Sequence, residues 1–480
     1  MKQVDQFKAV RELNIDSGKI TYLQRHVSPR IPELEQEYEG LPPRTVVRIM
    51  LSPALSSNIN VEIWLPDAGN WNGRFMGLGN GGAAGNINQA AFPGHIIKGY
   101  AVAMTDMGTA PSPGSGIDNH EVWKDFGFRA THLMTLAAKK IIAAFYSKQP
   151  VYSYFQGSST GGQQALQEAQ RYPDDYDGII SRVPAHCRTP LHAYFLWNYQ
   201  ILQECPFTEE QESNIIAAAN EYMSNRELPQ TAGKLISDPR CNHEDIEAVI
   251  KTAVKKDASL TNKHADALRK LFDGPRHAVT GERIFCGIPL GSAFGPAQNN
   301  LYLFNWVFGA NQDYMNIDFG GDIDAYTAKL GPHLNAENPD LDSFKQHGGK
   351  LIMISGSADS CVPYHATLDY YERVIEHFGD IEQVGSFFRY YIIPGMEHGM
   401  RPIDRLPDFI DLLVKWREEN VVPDTIQLQR VIEDKTDFDI PVQPYPGKTV
   451  PDEEREFGRI TGLRGGVERV SGRFLPAAAR

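Results

Sequence analysis

Ser159 stands at the centre of Gly157-Ser158-Ser159-Thr160-Gly161, at the end of the apolar run Val151–Gln156 and directly ahead of a helical pattern. A serine between two glycines at a strand-to-helix turn is the signature of a nucleophile elbow. The turn lifts Oγ clear of the sheet and leaves little room for side chains two positions to either side. The chemistry would be acyl transfer, in which a base takes the serine proton and a carboxylate fixes the tautomer of that base.

On the α/β-hydrolase plan the acid and then the histidine follow the serine, each on a loop past a later strand. Lys350–Asp359 reads as a buried strand ending in the small-residue turn Ser355-Gly-Ser-Ala-Asp359, which would carry Asp359 to the rim of a sheet. Phe388–His398 repeats the arrangement and sets His398 between a strand and a helix expected from about Leu406 to Glu419. The expected triad is therefore Ser159, Asp359 and His398, with His186, His192 and His365 as fallback bases and Asp369 as fallback acid. Acyl transfer also needs backbone donors for the oxyanion. Thr160 N–H supplies the first, and the glycine-rich stretch Gly77–Gly85 offers the second from Gly81 or Gly82.

These residues need a rigid frame. Short apolar runs at Thr45–Leu51, Asn60–Leu65, Arg74–Leu78, Tyr100–Asp106, Val151–Gln156, Gly178–Val183, Lys350–Ser355 and Phe388–Pro394 alternate with helical patterns. That rhythm predicts an α/β fold with a largely parallel sheet covered by helices. The first two runs read as an antiparallel hairpin at one edge. Between Cys187 and Leu341 the strand rhythm gives way to helical stretches (Thr208–Asn225, His243–Phe272) and aromatic, turn-rich segments, as expected of an inserted lid. The expected organisation is a first core segment over 1–186, a lid over 187–341, a second core segment over 342–435 and a loosely packed extension over 436–480.

The 480 residues are 41% hydrophobic and 22% charged, ordinary for a globular protein with a large core. A net charge of -13 repels phosphate backbones, so nucleic acid is not an expected partner. No apolar run approaches a membrane span, and the charged N-terminus lacks the apolar stretch of a secretory signal. The five cysteines, Cys187, Cys205, Cys241, Cys286 and Cys361, form no C-x-x-C pair; a cytoplasmic, reducing setting is expected, with a Cys205–Cys241 bridge still open.

Gly77-x-Gly79-x-x-Gly82, with Asp106 ending the next apolar run, also matches a dinucleotide fingerprint. That reading requires a helix from Gly82 onward, whereas Pro93-Gly94 interrupts the segment. An NAD(P)-binding oxidoreductase, a lidded serine amidase or peptidase, and a non-catalytic binding protein of hydrolase fold stand as the alternatives.

The segment from Gly157 to Ile180 resembles the tannase and feruloyl esterase family, which includes mono-aromatic-ester hydrolases. Gly99–Asp106, Phe128–His132, Asn338–Leu341, Gly348–Ile352, Asp369–Arg373 and Pro394-Gly-Met396 with His398 resemble that family's landmarks in its order. The resemblance implies an α/β-hydrolase core with a lid between elbow and acid, hydrolysis of esters of aromatic carboxylic acids, and Ser159, Asp359 and His398 as the triad. No cofactor is implied. Family members typically join a cysteine just before the serine to one just after the histidine; Ser158 and Gly399 stand there instead, which agrees with a reducing compartment. Many relatives bind calcium in the lid. This chain keeps Ser237-Asp-Pro-Arg-Cys241 without the acidic ladder upstream, so no metal is expected.

Overall fold

The apolar runs become strands where they are short, rich in β-branched and aromatic residues, and bounded by Gly, Pro or Asn. The computed structural model describes residues 3–223, 242–295, 298–399, 403, 405–432, 435–446, 467–470 and 473–476. The chain forms two compact units. Met1–His186, His333–Leu351 and Arg417–Glu419 make the first, and Cys187–Pro332, Ile352–Trp416 and Asn420–Arg480 the second.

The first unit is built on a sheet of β1 (Gly18–His26), β2 (Arg44–Leu51), β3 (Ile59–Pro66), β4 (Arg74–Leu78), β5 (Ala101–Thr105), β6 (Tyr152–Ser158) and β7 (Gly178–Arg182). Their spatial order is β1-β2-β3-β5-β4-β6-β7. β1 to β3 and the β3–β5 pair are antiparallel, whereas β4 pairs in parallel with both β5 and β6, and β6 with β7. All five residues of β5 are buried, as expected of a strand covered on both faces. The helix Ala130–Tyr146 buries Met134, Ala138, Ile141, Ile142 and Phe145, an i, i+4, i+7 stripe.

The predicted hairpin β2–β3 does pair antiparallel, but it is not the edge. β1 lies outside it, in register from Gly18 opposite Leu51 to His26 opposite Arg44, with no fully buried residue of its own. A half-buried strand with Lys19, Thr21 and Gln24 exposed lacks the apolar run that betrays an inner strand.

In the second unit β8 (Lys350–Gly356, whose first two residues count with the first unit) neighbours β9 (Phe388–Ile393), with the helix Tyr364–Phe378 between them in sequence. The same unit holds the helices Arg188–Glu204, Glu209–Met223, His243–Lys256, Asn262–Asp273 and Tyr302–Phe308. The stretch predicted as helical over His243–Phe272 is broken: Asp257 ends one helix, and a capping box between Thr261 and His264 starts the next. The helix expected from Leu406 starts at Phe409, because Pro407 disfavours helix at Leu406 and Asp408 caps the first turn through Ile410 N–H and Asp411 N–H. The segment after Lys435, read from sequence as a loose tail, begins with a strand, Lys435–Val442, paired antiparallel with Ile426–Ile432. Tyr445 continues it, its N–H bonded to the Tyr390 carbonyl (2.7 Å) and its hydroxyl to Glu372 (2.9 Å).

Candidate active site

At the end of β6 the chain must reverse into the helix Thr160–Arg171 within one residue, and that residue is Ser159, with φ 61° and ψ -115°. A non-glycine residue there is strained by about 1–3 kcal/mol, so its surroundings must hold it. They do so by backbone. Ser159 N–H donates to the Arg182 carbonyl (2.9 Å), and the Ser159 carbonyl accepts from Ala185 N–H and Gln163 N–H (both 3.1 Å).

The glycines of the pentad are required by contact. A Cβ on Gly157 would lie 2.2 Å from the Gly161 carbonyl oxygen, and one on Gly161 would lie 2.9 Å from that of Asn80. Gly79 and Gly162 are equally tight, against Gly161 Cα and the Arg182 carbonyl oxygen (2.6 Å each). The loop after β4 therefore lies directly on the elbow. Gly161 N–H donates to the Asn80 carbonyl (2.7 Å), Asn80 N–H to the Gln164 side chain (2.8 Å), and the Thr160 hydroxyl to the Gly82 carbonyl (2.5 Å). The structure thus brings Thr160 and the Gly81–Gly82 loop together. A side chain at Gly81 would meet nothing within 4 Å, whereas Gly82 has φ +55°.

The same loop disposes of the dinucleotide reading. No helix begins at Gly82; the next helical turn is Gln89–Ala91. Asp106 is committed to structure: its carboxylate accepts from Asn60 N–H (3.0 Å), Asn60 Nδ2 (2.6 Å) and Gly108 N–H (2.9 Å).

The acid and the histidine meet in the second unit because the loops after β8 and β9 are joined along their backbones. Ser357 N–H donates to the Ile393 carbonyl (3.0 Å), Ala358 N–H to that of Met396 (3.1 Å), and Gly395 N–H to the Ser357 hydroxyl (2.7 Å). Gly356 permits the approach, since a Cβ there would lie 2.0 Å from the Met396 carbonyl oxygen. Asp359 is fully buried. Its Oδ1 accepts from Cys361 N–H (2.9 Å) and Val362 N–H (2.8 Å), which leaves Oδ2 for His398 Nδ1–H at 2.8 Å. Burial disfavours the imidazolium, but hydrogen bonds and charge from Asp359 and Cys361 outweigh it and raise the His398 pKa to about 10. The helix Arg188–Glu204 of the same unit secures the acid loop, the Tyr194 hydroxyl donating to the Ser360 carbonyl (2.7 Å).

Three of the four fallback residues are engaged elsewhere, and the fourth, His192, is buried with its ring edge-on to Tyr302 at 5.4 Å. His186 is buried against the Pro184 carbonyl (3.1 Å), His365 stacks on Tyr364, and Asp369 pairs with Arg373 (3.1 Å). Cys241 and the Ser237–Cys241 segment lie outside the described residues.

Sequence reasoning missed a buried cluster behind the elbow helix. His132, Glu168 and Asp175 place their ligand atoms within 4.8 Å of one another. His132 Nδ1 is bonded to Asp175 (2.6 Å), and Lys139 donates to the Asp175 carbonyl (2.5 Å). Burial and the neighbouring Asp175 push the Glu168 carboxyl well above its ordinary range, so it holds its proton. A metal would have to displace that proton and break the histidine–aspartate bond. The signal available from sequence was Glu168 itself, the one acid in the helix Thr160–Arg171.

The family described as "Tannase and feruloyl esterase" matches residues 44–302 and 299–452. A "Probable feruloyl esterase" from Arthroderma benhamiae is 27% identical over 419 residues, covering 78% of this chain and 76% of its own. A "Probable feruloyl esterase B-2" from Aspergillus flavus is 26% identical over 433 residues, covering 83% and 82%. Among solved structures, feruloyl esterase B from Aspergillus oryzae superposes with a TM-score of 0.78 at 22% identity over 92% of this chain and 95% of its own. Tannin acyl hydrolase from Aspergillus niger gives 0.72 at 17% identity over 92% and 91%. These structures share the fold, and the matches in sequence extend through elbow, acid and histidine: the chain belongs to the tannase and feruloyl esterase family and is a carboxylic ester hydrolase of α/β-hydrolase fold.

Proposed function

We propose that the protein is a serine esterase of aromatic carboxylic acid esters in which Ser159 is the nucleophile, His398 the base and Asp359 the carboxylate that orients it. The observation that carries the reading is the buried Asp359, whose Oδ1 is saturated by two amides so that Oδ2 serves His398 alone. The strained, glycine-locked Ser159 supports it from the other side.

In the first half-reaction Ser159 Oγ bonds to the ester carbonyl carbon while its proton passes to His398 Nε2. The oxyanion is received by amides of Thr160 and the Gly81–Gly82 loop, and the alcohol leaves with the proton from His398. Water, deprotonated by the same ring, then releases the acid. The feruloyl esterase and tannin acyl hydrolase relatives support a phenolic or cinnamic acyl group of gallate, ferulate or terephthalate type. In this reading residues 187–341 act as a lid, and Tyr194, Phe195, Trp197, Tyr302, Phe304 and Trp306 offer it aromatic surface. A reducing, cytoplasmic setting is supported by the unbridged thiols of Cys205, Cys286 and Cys361.

The test is a turnover panel of methyl ferulate, methyl gallate, mono-methyl terephthalate and short aliphatic esters, with Ser159→Ala as control. Preference for an aromatic acyl group, abolished in the variant, is expected. Equal turnover of butyrate esters would remove the aromatic assignment, and an active Ser159→Ala would remove the mechanism.

A further inference from the structure

Backbone direction in the loop after β4 is set carbonyl by carbonyl. In a trans peptide the N–H points opposite to the carbonyl it follows, so each bonded carbonyl aims the next amide. The Asn80 carbonyl accepts from Gly161 N–H (2.7 Å) and aims the Gly81 amide; the Gly81 carbonyl accepts from Ala84 N–H (3.1 Å) and aims the Gly82 amide. The Gly82 carbonyl accepts from the Thr160 hydroxyl (2.5 Å). Elbow residues thus hold two of these carbonyls, and the loop itself holds a third. The Ala83 carbonyl is held from elsewhere, by the Thr109 hydroxyl at 2.8 Å, the shorter of that group's two bonds. That bond aims Ala84 N–H, which in turn secures the Gly81 carbonyl.

The bond from Thr109 acts against strain. Ala84 has φ +56°, left-handed for a residue with a Cβ, between Gly82 at +55° and Gly85 at +82°. Turning over the Ala83–Ala84 peptide would carry Ala84 to negative φ, relieve that strain and withdraw its N–H from Gly81. Only a fixed Thr109 can oppose the flip, and the turn that carries it is clamped. Met107 and Gly108 are left-handed, at +58° and +71°. The Asp106 carboxylate accepts from Gly108 N–H (2.9 Å), and the Asp106 carbonyl from Gly85 N–H (3.1 Å). Asp125 backs the turn, since a Cβ on Gly108 would lie 2.9 Å from its own, and Asp125 is bonded to Ser57 (2.6 Å) and Arg129 (2.5 Å). Thr109 itself is fully buried, and all of these residues belong to the first unit. Strained non-glycine residues held by dedicated side chains gather where a backbone conformation is used.

We propose that Thr109 is a positioning residue of the esterase: its hydroxyl holds the strained Ala83–Ala84 peptide and so keeps the peptides around Gly81 and Gly82 in the conformation that receives the oxyanion. Thr109 touches no reacting atom and acts through the loop alone. The link to turnover rests on the esterase reading; the peptide clamp does not.

The experiment is a double-variant cycle of Thr109→Val and Ala84→Gly, read by kcat and KM on methyl ferulate and by hydrogen exchange of peptides spanning residues 80–86. Thr109→Val should lower kcat by about tenfold with KM within about twofold, and Thr109→Ser should keep at least about half of the wild-type kcat. Exchange over 80–86 should quicken in the valine variant and not in the serine one. Ala84→Gly removes the strain that drives the flip, so in that background the valine should cost no more than about threefold in kcat; an ordinary structural hydrogen bond would cost the same in both. Unchanged kcat in Thr109→Val, equal losses in the two backgrounds, or a serine variant as impaired as the valine refutes the proposal. If the wild type turns over no ester, the esterase reading falls and exchange alone decides the clamp: quickening in Thr109→Val keeps it, and unchanged exchange removes it.

Discussion

The elbow and the acid–histidine corner fix their functional atoms by opposite means. At the elbow the position of Ser159 is set by backbone against backbone: carbonyls and amides of Arg182, Ala185 and Gln163 hold it, and Gly79, Gly157, Gly161 and Gly162 sit where a Cβ would collide. At the corner, backbone pairing only brings two loops together; the functional atoms are set by the two amides on Asp359 and by its charge on His398. Steric placement is indifferent to pH but intolerant of a methyl group, whereas polar placement follows protonation. A nucleophile at Ser159 would need a conformation that the chain resists, and a base at His398 would need a tautomer and a proton affinity.

The largest expected effect comes from removing the reacting groups. Ser159→Ala or His398→Ala should lower kcat/KM by about 10⁴-fold or more, and the double variant should be little worse than either, because the groups act as a unit. Initial rates on an aromatic ester and thermal melts check this; additive losses in the double variant would show that the two do not cooperate.

A sharper contrast between the regions pairs Gly157→Ala with Asp359→Asn. The first drives a Cβ into the Gly161 carbonyl and should lose stability and activity together, by about 3 kcal/mol in denaturant titration. The second keeps the shape and should lose about 10⁴-fold in kcat with a far smaller change in stability. If Gly157→Ala melts with the wild type, the elbow is not sterically locked.

A pH series sharpens the polar side. The folded His398 pKa of about 10 lies above its ordinary value of 6.5, so the stability from its pairing with Asp359 is complete below about pH 6.5 and is lost as pH rises through 10. Activity should move oppositely, since the ring serves as a base only once deprotonated. The kcat/KM profile should climb toward a midpoint near pH 10. Asp359→Asn should flatten the stability slope relative to wild type; an activity midpoint near pH 6.5 would show that Asp359 does not raise the ring.

The sequence made β2 to β9 legible because each is an apolar run between turn residues, and it singled out Ser159, Asp359 and His398 because the three residues follow three such runs in order. β1 escaped because its partly exposed surface carries polar residues, and the break at Asp257–Thr261 because capping is a local device inside a longer amphipathic pattern. The hairpin strand Ile426–Ile432 had a readable signal, the alternation Ile-Gln-Leu-Gln-Arg-Val-Ile, masked by the charged tail beyond it.

The smallest expected effect on activity concerns Ser158 and Gly399, which stand where the family resemblance implies a bridge. Each flanks a member of the proposed triad, so if Ser159 and His398 exchange a proton, thiols at 158 and 399 should lie within bridging distance. Gly399 has room for a side chain, since a Cβ there would meet nothing within 4 Å. The double variant S158C/G399C should therefore fold, form a 158–399 disulfide on mild oxidation, and keep most of its ester turnover with a higher Tm. The wild type should be indifferent to reductant, because its elbow is locked by glycine contacts and its histidine by Asp359. Mass spectrometry of the oxidised, non-reduced digest reads the bond directly. Two free thiols in a folded, oxidised variant would separate the serine from the histidine, leaving a well-built elbow and a well-built corner that do not serve one reaction.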